Sequence, residues 1–98
     1  MKPQGTYKGR VTWLGNLMLQ LPAALWKGKE FTGDQVRNYV GKSLIAVGYV
    51  IEVSERYWLI HYPYMDVVDV LEEIGPEYAG RAYHRGQLVA EFWLYRPK

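Results

Sequence analysis

The 98-residue chain predicts a mainly β fold: a small antiparallel meander barrel of about seven strands, with one short helical segment near the N-terminus capping an end. Three observations carry that expectation. Apolar residues recur with period two over strand-length stretches. Turn-forming pairs punctuate them, at Gly33-Asp34, Gly75-Pro76 and Arg85-Gly86. The central stretch Leu44 to Tyr64, LIAVGYVIEVSERYWLIHYPY, reads as two long strands joined by a polar turn at Ser54, Glu55 and Arg56. Both strands are apolar on nearly every residue, so both faces are expected to be covered and the rest of the chain to wrap this hairpin.

The elements follow in order. Thr6 to Trp13 alternates, with Tyr7, Gly9, Val11 and Trp13 opposite Lys8, Arg10 and Thr12, as in a half-buried strand. Gly9 removes an inner side chain and suits a strongly bent strand or a close crossing. From Leu14 to Trp26 the period changes: Leu14, Leu17, Met18, Leu21 and Leu25 recur at helical spacing, and Pro22 breaks or restarts the helix. Trp26 to Phe31 enters a second strand. Thr32-Gly33-Asp34 turns, and Gln35 to Val40 continues extended. In the central hairpin, Ile45, Val47, Tyr49, Ile51 and Val53 share one face and Leu44, Ala46, Gly48, Val50 and Glu52 the other; Tyr57, Leu59 and His61 lie opposite Trp58, Ile60 and Tyr62. Val67 to Ile74 fits helical spacing too, but its β-branched content favours a strand. Glu77 to Arg85 and Gln87 to Arg96 form the last hairpin.

Composition bounds the function. One domain fits this length. The net charge is +2 and the basic residues are scattered, so a duplex-DNA surface is not expected and nucleic acid is a poor partner. With no cysteine, disulfides, zinc–thiolate sites and thiol catalysis are excluded. The start MKPQGTYKGR has no apolar core and no apolar run approaches the roughly 20 residues of a membrane span, so a cytoplasmic protein without a membrane partner is expected. Two histidines without spaced partners make a poor metal signature, and Asp66, Asp69, Glu72 and Glu73 read as a solvated face. The glycines fit neither Walker nor Rossmann spacing, and neither serine sits in a nucleophile-elbow context. No metal and no cofactor is expected.

Polar residues within apolar strands are the candidates for chemistry. Glu91 stands between Val89 and Trp93, and His61 beside Leu59. An inward Glu91 would require a partner such as Arg81, Tyr83 or His61. A Glu91–Arg81–Tyr83 cluster in an apolar pocket would orient a polar head group, with His61 as acid or base. The same three residues could equally form a solvated outer row. Catalytic roles therefore fall to His61 and Glu91. Ligand binding falls to Arg81 and Tyr83 and to the aromatic residues Tyr49, Trp58, Tyr62 and Trp93.

The motif Trp-x-Gly-Lys-x-Phe (Trp26, Gly28, Lys29, Phe31) after a strand and a hydrophobic stretch resembles small bacterial proteins with a lipocalin-like barrel. The run Val70 to Tyr83, with Ile-Gly-Pro-x-Tyr-x-Gly-Arg at Ile74 to Arg81, adds to the likeness. The resemblance implies a meander barrel that accepts a small apolar or aromatic molecule, as a binder or as a cofactor-independent isomerase, cyclase or hydrolase. It departs in length: about seven strands leave an edge, which pairing of two subunits into a homodimer would cover. Two rival readings are an OB-like barrel for single-stranded nucleic acid and an assembly module without a ligand.

Overall fold

The computed structural model describes residues 2–15, 26–40 and 42–97. Eight strands follow one another in chain order: β1 (Gly5–Leu14), β2 (Trp26–Thr32), β3 (Gln35–Val40), β4 (Ser43–Glu52), β5 (Tyr57–Tyr62), β6 (Val67–Ile74), β7 (Glu77–His84) and β8 (Gln87–Tyr95). Each pairs antiparallel with the next, and β8 returns to β1, closing the barrel. The expected seven is corrected to eight because Gly33-Asp34 is a two-residue hairpin turn, so the extended stretch after Phe31 reverses and becomes a strand of its own. Closure removes the edge that a second subunit was expected to cover. An eight-stranded meander also differs from the five-stranded Greek-key OB barrel. The helix expected over Leu14 to Trp26 falls on residues 16–25, outside the described residues; its two ends are the last residue of β1 and the first of β2. No helix among the described residues is long and apolar enough to cross a membrane.

The meander gives the barrel two unlike ends. At the lower end lie the turns β2–β3, β4–β5 and β6–β7, the start of β1 and the end of β8. Here the lumen is solid. Tyr7 meets Phe31 and Tyr78 edge to face, with ring centroids 5.6 and 5.5 Å apart. Val36, Val50, Trp58, Leu71 and Leu94 fill the space around them. Pro3 is fully buried beneath, with Lys2 paired to Asp34 and Gln4 bonded to the Gly33 carbonyl. An eight-stranded barrel is just wide enough for side chains to fill, and this half is filled.

The upper end carries the turns β5–β6 and β7–β8, the start of β4 and the departure of the chain between β1 and β2. Register shifts fall toward this end in four of the strand pairings, between Val11 and Trp13, Trp26 and Gly28, Asn38 and Tyr39, and Ala82 and Tyr83. Bulges concentrate at barrel rims because each extra residue bends a strand and re-aims its side chains. The bulge in β2 has the largest consequence. Trp26 and Phe31 both face the lumen, which strict alternation cannot give, since one number is even and the other odd. The additional residue resets the phase and turns Trp26 inward beside Lys29, which already shares the face of Phe31. Gly28 permits this with φ 136°, and a Cβ there would strike the Tyr7 carbonyl.

One expectation about the central hairpin fails. Ala46, Gly48, Val50, Trp58, Ile60 and Tyr62 face inward, but the described residues do not cover the opposite face of β4 and β5: Tyr49, Ile51, Val53 and Tyr57 are exposed. Continuous apolarity indicated coverage on both sides; the described residues form a single closed layer, and none of them lies over this part of its exterior.

Gly28→Ala should therefore be costly. Forcing a Cβ into positive φ against backbone adds at least ~2 kcal/mol of strain. For a domain of this length that lowers the melting temperature by roughly 10 °C. Thermal unfolding followed by circular dichroism checks it; an unchanged midpoint would show that the bulge is not needed.

Candidate functional site

The upper lumen holds the charged residues that the lower half excludes. Lys29 from β2 is 4% exposed and Asp69 from β6 is 3% exposed. Their ion pair spans 2.8 Å from Nζ to Oδ2. Lys29 Nζ also donates to Asn38 Oδ1 on β3 at 2.7 Å and to the Tyr62 hydroxyl on β5 at 2.7 Å. Asn38 Nδ2 donates to the same hydroxyl at 2.7 Å, and Trp26 Nε1 donates to Asn38 Oδ1 at 3.2 Å. Lys29 is further enclosed by the rings of Trp26, Tyr62 and Phe92, with centroids 5.4, 5.2 and 5.3 Å from Nζ. These faces add cation–π attraction in a site with little water. Trp26 in turn packs over Phe92, centroids 5.3 Å apart, and lies on Gly9, where any side chain would collide with its ring.

Hydrogen-bond capacity decides what the cluster can offer. An ammonium has three protons, and Asp69, Asn38 and Tyr62 take all three. The Tyr62 oxygen accepts two bonds, so its own O–H is what it has left to give. Lys29 uses one oxygen of Asp69, and Oδ1 remains. Burial by itself disfavours the Lys29 ammonium, but the charge of Asp69 and the Tyr62 oxygen outweigh it and hold the lysine above its usual pKa. Burial pushes the Tyr62 phenol up to about 12, Asp69 adds to the rise, and the donors Lys29 and Asn38 oppose it. Around neutral pH the cluster is therefore a zwitterionic pair beside a protonated phenol.

A cleft of about 160 Å³ opens onto this cluster. Lys29, Asn38, Tyr62 and Asp69 form its polar floor, and Ala46, Met65 and Val67 its apolar wall. Above it, the Arg85 N–H donates to the Asp66 carbonyl at 3.1 Å and the two side chains pair at 3.5 Å, tying together the turns β5–β6 and β7–β8.

The residues singled out in the sequence are divided by the barrel wall. Tyr62 is in the cluster. Trp58 is in the lumen but in the lower half, outside the cleft, and its buried Nε1 has no hydrogen-bond partner among the described residues. His61 and Tyr49 face each other across β4 and β5 on the outside, both exposed. Arg81 and Glu91 are cross-strand partners on β7 and β8, outside as well, where with Trp93 and Tyr57 they line a separate groove of about 180 Å³. Tyr83 shares Arg81's face of β7. The inward Glu91–Arg81–Tyr83 pocket is thus replaced by the outer row, and His61 and Glu91 do not face one cavity. Asp69 is corrected in the opposite sense: it leaves the expected solvated face, while Asp66 pairs with Arg85 and Glu72 with Arg56 at 3.3 Å. Lys29, Asn38 and Asp69 were not read as a site, although β3 and β6 carry a signal. Asn38 stands between Val36 and Val40, and Asp69 between Val67 and Leu71, each a polar residue on an apolar face. Among the described residues no group of three or more His, Asp or Glu side chains could hold a metal ion.

Two measurements test the cluster. Lys29→Met strands a buried carboxylate and should destabilise the barrel by about 3–5 kcal/mol, whereas Lys29→Met with Asp69→Leu should recover much of that loss; urea unfolding compares the two, and equal losses would show that the pair is not coupled. The second concerns alkali. Unfolded tyrosine ionises near ~10, and folded Tyr62 only near about 12. The unfolded state therefore loses its proton first, and stability falls as pH climbs between these values. The raised lysine acts in the same sense, its contribution intact below the unfolded pKa and lost as pH passes the folded one. Tyr62→Phe should remove up to ~1.4 kcal/mol per pH unit of that slope, and an unaltered slope in urea midpoints above pH 10 would contradict the assignment. Comparisons of the chain with family models, with curated proteins and with solved structures gave no match in any of the three, so the chemistry of the site is read from its own residues.

Proposed function

We propose that the protein binds a small, electrically neutral molecule in the upper cleft, with an apolar body against Ala46, Met65 and Val67 and a polar head on Tyr62 and Asp69. The observation that carries this reading is a completed ion pair at the floor of an open cleft. A barrel that needed only stability would do as well with apolar residues there, since replacing a buried pair with packed hydrophobes is often neutral or stabilising. Retaining it, with every ammonium proton assigned, pre-organises a donor and an acceptor for something else.

The size and the charge both restrict the guest. About 160 Å³ is close to the ~150 Å³ cavity that holds benzene. The pair is neutral overall, so an anion would have to draw Lys29 away from Asp69 and leave that carboxylate buried without its partner. A neutral group that both accepts and donates, as a primary amide does, meets the Tyr62 O–H and Asp69 Oδ1 without disturbing the pair. The likeness of Trp26 to Phe31 and of Val70 to Tyr83 to lipocalin-like barrels points the same way, since those barrels take small apolar molecules.

Trp26 borders the cluster, so its fluorescence reports occupancy. Titration with benzamide should change that emission saturably, and benzoate should bind at least 10-fold more weakly. Tyr62→Phe should weaken benzamide by about 10-fold, the loss of one hydrogen bond in a dry site. Absence of binding by benzamide and by other small neutral aromatics, in protein shown to be folded, would overturn the reading; tighter binding of benzoate would overturn its account of the head group.

A further inference from the structure

The outer face of β4, β5 and β6 carries apolar surface that the lumen site does not use. Register aligns it in rows: Tyr49, His61 and Val68; Ile51, Leu59 and Val70; then Val53, whose N–H donates to the Tyr57 carbonyl at 3.2 Å. Tyr49 is 49% exposed, Ile51 52%, Val53 56% and Tyr57 41%, and Leu44 at the top of β4 is 50% exposed. Elsewhere the barrel exterior is dressed differently: Thr6, Lys8, Arg10 and Thr12 on β1, Lys27 and Glu30 on β2. Trp13 at the upper end of β1 is exposed as well, at 45%, but the rows of apolar side chains that run across adjacent strands lie on β4, β5 and β6.

We propose that this face is the interface of a homodimer, joined by a two-fold axis running across the strands. A closed barrel has no edge to lend to a partner, so association has to use a face. Half-exposed side chains of this size offer on the order of 100 Å² each. The five named above supply on the order of 500 Å², more than half of the roughly 800 Å² that each partner contributes to a standard interface, and Val47, Leu59 and Val70 extend it. The charges at the two ends point to a second copy as the occupant. Lys42 stands before β4 at the upper end and Glu55 beyond it at the lower end; both are exposed, and neither has an ion-pair partner among the described residues. A two-fold across the strands sets the upper end of one β4 over the lower end of the other, so that Lys42 meets Glu55 twice. The face is self-complementary, which an isologous dimer requires.

Analytical ultracentrifugation of the full chain between 1 and 100 µM tests this. The expected result is a dimer mass that falls to the monomer in Ile51→Asp, with the circular dichroism of the wild type retained. Leu59→Lys serves as the second variant should Ile51→Asp not fold. Lys42→Glu and Glu55→Lys should each weaken dimerisation about 5-fold or more, and the two together should restore it, because swapping rim charges preserves the pairing. A monomer throughout the range overturns the proposal, as does a dimer that survives both apolar-to-charged variants. A monomer that floats with phosphatidylcholine–phosphatidylglycerol vesicles and loses this in Ile51→Asp would assign the face to a lipid surface instead, and equally overturns it.

Discussion

A lysine and an aspartate buried together inside the barrel are the constraint to which the rest of the upper half conforms. An ammonium placed in a lumen walled by rings is tenable only with its charge met and its three protons assigned. Lys29 meets that demand by drawing on β3, β5 and β6 at once. Four strands thereby share one polar node, and a one-residue slip in any of them would turn its contribution outward and leave the others unpaired. The apolar lower half supplies most of the burial. The node supplies register, which apolar packing alone specifies less sharply.

The two halves also explain one another. Large aromatic residues and branched aliphatics seal the lower lumen, with Pro3 beneath them, and that solid base lets the upper lumen stay partly open without the barrel collapsing. The bulges lie toward the open end, where strands have to bend and where inward and outward residues have to be re-aimed. At Gly28 a single backbone conformation turns Trp26, which strict alternation from Phe31 would send to solvent, onto the ammonium of Lys29. Function at this end thus depends on departures from the regularity that makes the other end stable.

The exterior follows separate rules. Cross-strand pairs of opposite charge, Glu30 with Arg37 and Arg81 with Glu91, occupy other parts of the wall, and the side formed by β4 and β5 is largely without charge. Surface of that kind on a closed barrel is not explained by the lumen, since the lumen faces of these strands are complete without it.

Much of the architecture was legible in the amino-acid sequence by itself. Period-two alternation and the turn pairs at Gly33-Asp34, Gly75-Pro76 and Arg85-Gly86 determined the strands and their antiparallel order, because local sterics and side-chain direction act over a few residues. The same logic marked Gly9 as a place for a strong bend or a close crossing, and it is the ring of Trp26 that lies there. Tertiary structure alone decided which face of each strand is inside. In β4, β5 and β8 both faces are largely apolar, so alternation has no sign, and Glu91 and His61 were as eligible for the lumen as Tyr62. It also decided the phase at the start of β2, since the bulge that turns Trp26 inward arises from pairing with β3 and is not visible along β2. Asn38 and Asp69 could be noticed as polar residues on apolar faces, but the partner that makes their burial tolerable is a lysine from another strand. Only closure of the barrel brings that ammonium within 2.8 Å of the carboxylate.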